Sequence, residues 1–333
     1  MRYAHERLRL LAAALAAQSA RAIGAGQQRP AAHPQPPVAG RQRRCHQRTY
    51  PRWRRRCAPA GLDERPARRC AATRHRAVAA WLGGQRRFQL HAPDRRAPAR
   101  SGLPGVPAEL PRPGGTHHLN VDLFHSDRIE EVVNAAGDLW RRFPAPQLLA
   151  AGYSLGGNFA LRLALRAPAA GLPLARVAAV CPLLDPAATM TQLEKGPQFY
   201  DWYFRRKWRE SLLRKRKLFP EQHGYDDATL ALDMRGLMAW LAVKHTGHGS
   251  LEAYFDSYSI AGQRLANLQV PVDILMAEDD PVIPFEDFAA WQLPAHAQLE
   301  IARWGGHCGF LENARGDGFA ERWVAERLAS AGQ

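Results

Sequence analysis

"QLLAAGYSLGGNFALRLALRAP", residues 147–168, holds a strand, a turn and a helix in one line. The short apolar run at its left end lacks polar alternation, as in a parallel strand buried on both faces. From Leu155 the text reads as a helix. Between them stands Gly152-Tyr153-Ser154-Leu155-Gly156, a G-x-S-x-G. In that pattern the serine occupies a strained strand-to-helix turn, and the flanking glycines let neighbouring backbones approach closely. The hydroxyl then projects above the sheet edge, and the helix N-terminus behind it favours developing negative charge. By itself the motif also fits a plain glycine-rich turn; the apolar strand before it and the helix after it favour the nucleophile elbow.

The neighbouring text extends the pattern. In "SDRIEEVVNAAGDLWRRF" the residues Ile129, Val132, Val133, Ala136 and Trp140 recur at three- and four-residue steps. That spacing predicts a helix of about four turns. Ser126 or Asp127 is placed to cap it, and Pro144 and Pro146 stop it. "LARVAAVCPLL" reads as another buried strand. Strand, helix and strand in turn imply crossover connections and a parallel sheet, an α/β fold.

A nucleophilic serine needs a base and a group that orients the base, and in this architecture they come later in the chain, in the order Ser, Asp, His. "VPVDILMAEDDPVIP" is an apolar strand, Val270 to Met276, that runs into an acidic turn. Asp280, directly before Pro281, is the candidate acid, with Asp279 the fallback; alone, either reads as a solvated turn carboxylate. "LEIARWGGHCGFLEN" is a second short strand ending in Gly305-Gly306-His307. A lone histidine is more often structural. Three such groups in this order, each at the C-terminal end of a predicted strand, point to a catalytic triad of Ser154, Asp280 and His307. The backbone N–H of Leu155 is the candidate oxyanion donor. The remaining histidines show no metal-ligand spacing, and Cys308 reads as packing.

Between Pro186 and Leu268 the sheet pattern stops and the text turns helical and aromatic, the place where such enzymes carry a lid. Trp202, Tyr203, Phe204 and Trp208 suit either an acyl pocket or a helix core. The basic run from Arg205 to Lys217 suits acidic head groups or phosphate, and otherwise a solvated helix face.

Left of Thr116 the text changes character. Residues 1–115 hold 24 of the 46 basic residues, all Arg, against 5 acids. The remainder holds 22 against 26, so the net charge of +15 divides into +19 and −4. Thirteen of the 25 prolines also lie in the first 115 residues. This segment, 1–113, is expected to be disordered and to lend no strand to the sheet. The opening "MRYAHERLRLLAAALAAQSARA" mimics a signal peptide, but the Arg/Pro-rich stretch after it does not read as a secreted domain. No run of 18 apolar residues occurs, so no membrane span is expected. The five cysteines show neither a metal spacing nor a paired framework, which leaves a reducing, cytoplasmic setting as the expectation.

"GYSLGGN", "MAEDDPVIP", "GGHCGF" and "HGSLEAYFDSYSIAGQRLANLQVP", with "THHLN" and "FHS", resemble the YheT-type branch of the α/β-hydrolase superfamily, the AB-hydrolase family 4 esterases. The resemblance spans residues 114–333. It implies an α/β-hydrolase fold with a helical lid and a carboxylic ester hydrolase with Ser154 as nucleophile, His307 as base and Asp280 orienting it. The implied substrate is a small-molecule ester or lipid-like molecule, with no metal or organic cofactor. Acyl transfer on the same triad is the alternative within the fold.

The resemblance also implies segments that this sequence lacks: "PDGD", then a strand, then "HGLGGS", then a strand ending near "LNFRxHG". The loop with the His-Gly pair supplies the second oxyanion N–H. Reading the DNA one base later across residues 50–113 restores them in order. Ala80-Trp81-Leu82-Gly83-Gly84-Gln85 then permits "HGLGGS", and the glycine is forced, since TGG followed by T or C yields only a glycine codon. Residues from about 50 to Pro113 therefore read as an out-of-frame translation, rejoined to the family's frame at Pro113/Gly114, with activity impaired by the loss of the oxyanion loop. The competing class is a basic arm that neutralises nucleic-acid phosphates, but the segment shows no recognisable binding module, and no nucleic-acid partner is expected. Sequencing the locus across codons 30–120 is expected to show that one inserted or deleted base restores these motifs; no such alternative frame overturns the frameshift.

Overall fold

The computed structural model describes residues 78–82, 105–108, 117–143, 145–313 and 318–332. Among them six strands form one parallel sheet: β1 (Val78–Leu82), β2 (Gly105–Ala108), β3 (Leu148–Tyr153), β4 (Leu174–Val180), β5 (Val272–Ala277) and β6 (Ala297–Ala302). Their order across the sheet is β2-β1-β3-β4-β5-β6. Leu148 to Ala151 are each at most 1% exposed and every residue of β5 is buried, so both faces of the centre are covered. That burial is why these strands read as continuous apolar runs.

The N-terminal strands correct the expectation that residues 1–113 lend none. β1 pairs with β3 from Val78 opposite Leu148 to Leu82 opposite Gly152, and β2 pairs with the far side of β1. The strand leading to Ser154 is therefore flanked on both sides. Val78-Ala79-Ala80-Trp81-Leu82 is an uninterrupted apolar run fit for a parallel strand, hidden by the Arg-rich average around it. The remaining residues before His117 lie outside the described ones, among them Gly83, Gly84 and Gln85 of the "HGLGGS" alignment and the frame junction, while Ala80, Trp81 and Leu82 of that alignment lie in β1.

Helix α1 (Ile129–Arg142) starts one residue after Arg128 and has no side-chain cap, contrary to the expected cap by Ser126 or Asp127. Both residues are engaged elsewhere. Arg162, buried in α2 (Leu155–Arg166), donates to the Ser126 carbonyl at 2.7 Å and to Asp127 at 3.4 Å. A buried guanidinium must be partnered, and it claims these acceptors. The other Asp127 oxygen pairs with His248 Nε2 at 2.7 Å.

Between β4 and β5 lie α3 (Pro186–Lys195), α4 (Gln198–Leu218), α5 (Asp227–Ala231), α6 (Met234–Leu241) and α7 (Leu251–Tyr258). Asp185, Asp226, Asp233 and Ser250 cap four of these by accepting backbone N–H bonds, which fixes where each begins. The insertion has its own apolar core around Leu212, Leu237, Leu241 and Tyr254. Leu155 and Leu183 touch both that core and the sheet's, joining the insertion to the strand ends beside Ser154. After β5 come α8 (Glu286–Ala289) and α9 (Phe319–Ala329), the latter packing Trp323 and Val324 into the main core.

Tyr254 is 1% exposed, and its hydroxyl accepts the Ser126 N–H at 2.8 Å. Tyr254→Phe strands that buried donor and is expected to cost about 1–3 kcal/mol in urea denaturation of the full chain. An unchanged midpoint contradicts the bond.

Candidate active site

The turn from β3 into α2 is held open by missing side chains. A Cβ on Gly152 would lie 2.2 Å from the Gly156 carbonyl oxygen, so only glycine permits this approach. Ser154 sits at φ 52, ψ −123, a conformation a non-glycine residue keeps only when its surroundings impose it. They do so here through hydrogen bonds. The Ser154 N–H donates to Val180 O at 2.9 Å, and its carbonyl accepts from Asn158 and Leu183 at 3.1 and 3.3 Å. The fully buried Asn158 side chain donates in turn to the Leu183 and Tyr258 carbonyls, at 2.9 and 2.8 Å. The Leu155 N–H lies in the first turn of α2, where a helix leaves donors without intrahelical partners.

His307 reaches Ser154 on a loop after β6. Its Nε2 lies 2.9 Å from Ser154 Oγ, and its Nδ1 lies 3.1 and 3.0 Å from the two Asp280 oxygens. The Asp280 side chain is fully buried, and its Oδ1 also accepts the N–H groups of Val282 and Ile283 at 2.8 and 3.0 Å. Those bonds hold the carboxylate aimed at the ring. A ring that donates Nδ1–H to Asp280 presents its Nε2 lone pair to the Ser154 hydroxyl. Burial disfavours the imidazolium, yet Cys308 and the hydrogen bond and charge of Asp280 outweigh it and raise the His307 pKa above the ordinary value.

The two adjacent acids divide the work. Asp279, the fallback acid, does not face His307 but accepts the N–H groups of Gly305 and Gly306, at 2.8 Å each. Gly306 lies at φ 54, and a Cβ on Gly305 would meet the Phe310 ring at 2.5 Å. One glycine thus supplies a left-handed turn and the other a close contact, and Asp279 pins both directly ahead of His307. The sequence shows two acids in one turn with no sign of which faces which partner.

Cys308 packs at the edge of the main core, as expected, and the buried Cys181 directly succeeds β4; both are free thiols. Among the described residues no group of three or more His, Cys, Asp or Glu is placed to hold a metal ion.

A family model described as "alpha/beta hydrolase fold" matches residues 80–314. The chain belongs to the alpha/beta hydrolase fold family. Within the family it is similar to the monoacylglycerol lipase ABHD2 of Danio rerio, 26% identical over 192 residues, which cover 54% of this chain and 45% of that protein. The chain thus matches less than half the length of that curated relative. Among solved structures it is similar to an esterase of Pyrobaculum calidifontis, at 18% identity and a TM-score of 0.43, covering 78% of this chain and 77% of that one. It is also similar to wild-type AbyA5, at 20% identity and a TM-score of 0.41, covering 71% and 56%.

Asp279→Ala removes the acceptor that pins the His307 loop. A displacement of about 1 Å at a reacting group costs on the order of 10²-fold. Labelling of Ser154 by a fluorophosphonate probe is therefore expected to slow by roughly that factor in Asp279→Ala and to recover in Asp279→Asn, whose amide oxygen still accepts. Equal labelling of wild type and Asp279→Ala contradicts the role.

Proposed function

We propose that the chain is a serine hydrolase of carboxylic esters that works through an acyl-enzyme. The observation that carries this reading is the unbroken hydrogen-bonded line from Ser154 Oγ through His307 to the buried Asp280. In the first half-reaction His307 takes the Ser154 proton as Oγ attacks the ester carbonyl, then returns it to the leaving alkoxide. Water attacks the acyl-serine in the second half by the same route. Asp280 orients the ring and stabilises the imidazolium. The Leu155 N–H receives the developing oxyanion at the positive end of α2.

The resemblance assigns the second oxyanion donor to the loop with the His-Gly pair. β1 ends at Leu82 opposite Gly152, two residues before Ser154 in the neighbouring strand. If that loop is read out of frame and its donor is lost, turnover falls by about 10²–10³. The motifs around Ser154, Asp280 and His307 support the YheT-type branch, and the lipase among its relatives supports a lipid-like or acylglycerol ester as substrate. Helices α3 to α7 serve as the lid.

With p-nitrophenyl acetate, Ser154→Ala is expected to reduce turnover by about 10⁶. Since the base must be neutral and the His307 pKa is raised, the acid limb of kcat/KM is expected above about pH 6.5. Asp280→Asn removes part of what raises it, so the limb moves down in pH while the rate falls by about 10⁴. Full turnover in Ser154→Ala overturns the proposal.

A further inference from the structure

Helix α4 has two faces of different chemistry. Its inner row, Tyr200, Phe204, Trp208 and Leu212, packs against the two apolar cores. Its outer row begins with Phe199, Trp202 and Tyr203, which are 62%, 48% and 39% exposed. These three rings cluster, with Phe199 6.1 Å from Trp202 and stacked on Tyr203 at 6.3 Å. Arg206 lies over the Trp202 ring at 5.5 Å and Lys207 over Tyr203 at 5.8 Å. The solvent face of a surface helix is ordinarily polar, so a ring cluster there marks a contact surface.

Charge narrows the partner. α4 carries eight Lys and Arg against two acids, within a region, residues 116–333, whose net charge is −4. A second copy would bring the same positive face against itself. A nucleic acid would match the charge but offers no apolar layer to this cluster, whose rings already stack on one another and under cations. A bilayer with acidic lipids offers both an interfacial layer for aromatic rings and phosphates for cations. The aromatic end of α4 is also the end next to the candidate site: a Cβ on Gly196 would lie 3.6 Å from the Pro281 carbonyl, directly after Asp280.

We propose that the outer face of α4 docks the chain on an anionic phospholipid surface, with Phe199, Trp202 and Tyr203 in the interfacial layer and the outward basic side chains, Arg206 and Lys207 first among them, on the phosphates, while Lys215 is buried and takes no part. The docking is separate from turnover, so the full chain is tested as Ser154→Ala, whose loss of chemistry leaves binding readable. In flotation with phosphatidylcholine vesicles, binding is expected only when phosphatidylglycerol is included. Phe199→Ala/Trp202→Ala/Tyr203→Ala keeps every charge and is expected to weaken that binding at least about tenfold. Arg206→Gln/Lys207→Gln is expected to weaken it and flatten its salt dependence. Circular dichroism checks that both variants stay folded. Unchanged binding in the aromatic variant assigns it to the Arg-rich residues 1–115 and overturns the proposal. So does a self-association or an oligonucleotide affinity that the aromatic variant loses while vesicle binding persists.

Discussion

The approach of Gly152 to the Gly156 carbonyl sets the rest of the molecule. A methyl group at Gly152 would overlap that oxygen at 2.2 Å, so β3 passes directly into α2 only where residue 152 has no side chain. The same turn forces Ser154 to φ 52 and lifts its hydroxyl off the sheet edge toward His307. Everything packed around the turn serves that strained residue. β4 accepts its N–H, Asn158 ties α2 to the chain after β4 and to α7, and Asp279 and Asp280 hold the histidine loop from the next strand. Strain at one residue persists because its neighbours over-determine it.

How much the sequence discloses depends on how local each signal is. The apolar runs of β3, β4 and β5 and the G-x-S-x-G turn are short-range patterns, and they lie where their spacing places them. Asp280 and His307 are 27 residues apart in the chain, yet each stands at the end of a legible strand, so their meeting comes from parallel topology. The separate task of Asp279 is not legible, because it depends on which carboxylate points at two backbone N–H groups. The cap of α1 escapes the sequence for a similar reason: Arg162, 35 residues downstream, draws Asp127 away from the helix. β1 is hidden because its five apolar residues are averaged into an Arg-rich segment.

The insertion extends the same logic outward. Four of its five helices begin at Asp or Ser caps, but its core gathers segments far apart in the chain, Leu123, Leu212 and Tyr254 among them. Leu155 and Leu183 belong to the rims of both cores, which packs the insertion against the turn that carries Ser154. Its long helix α4 turns one face to those cores and a ringed, cationic face outward.

Under the proposed mechanism Ser154 carries the acyl group. Rapid acid quench of the full chain during turnover of an activated ester, with peptide mass spectrometry of the quenched protein, tests it most directly. A single acyl adduct on Ser154 within residues 143–162, absent in Ser154→Ala and accumulating more slowly in His307→Ala, is the expected result. An adduct on Cys308 or elsewhere, or turnover with no covalent intermediate on Ser154, contradicts it.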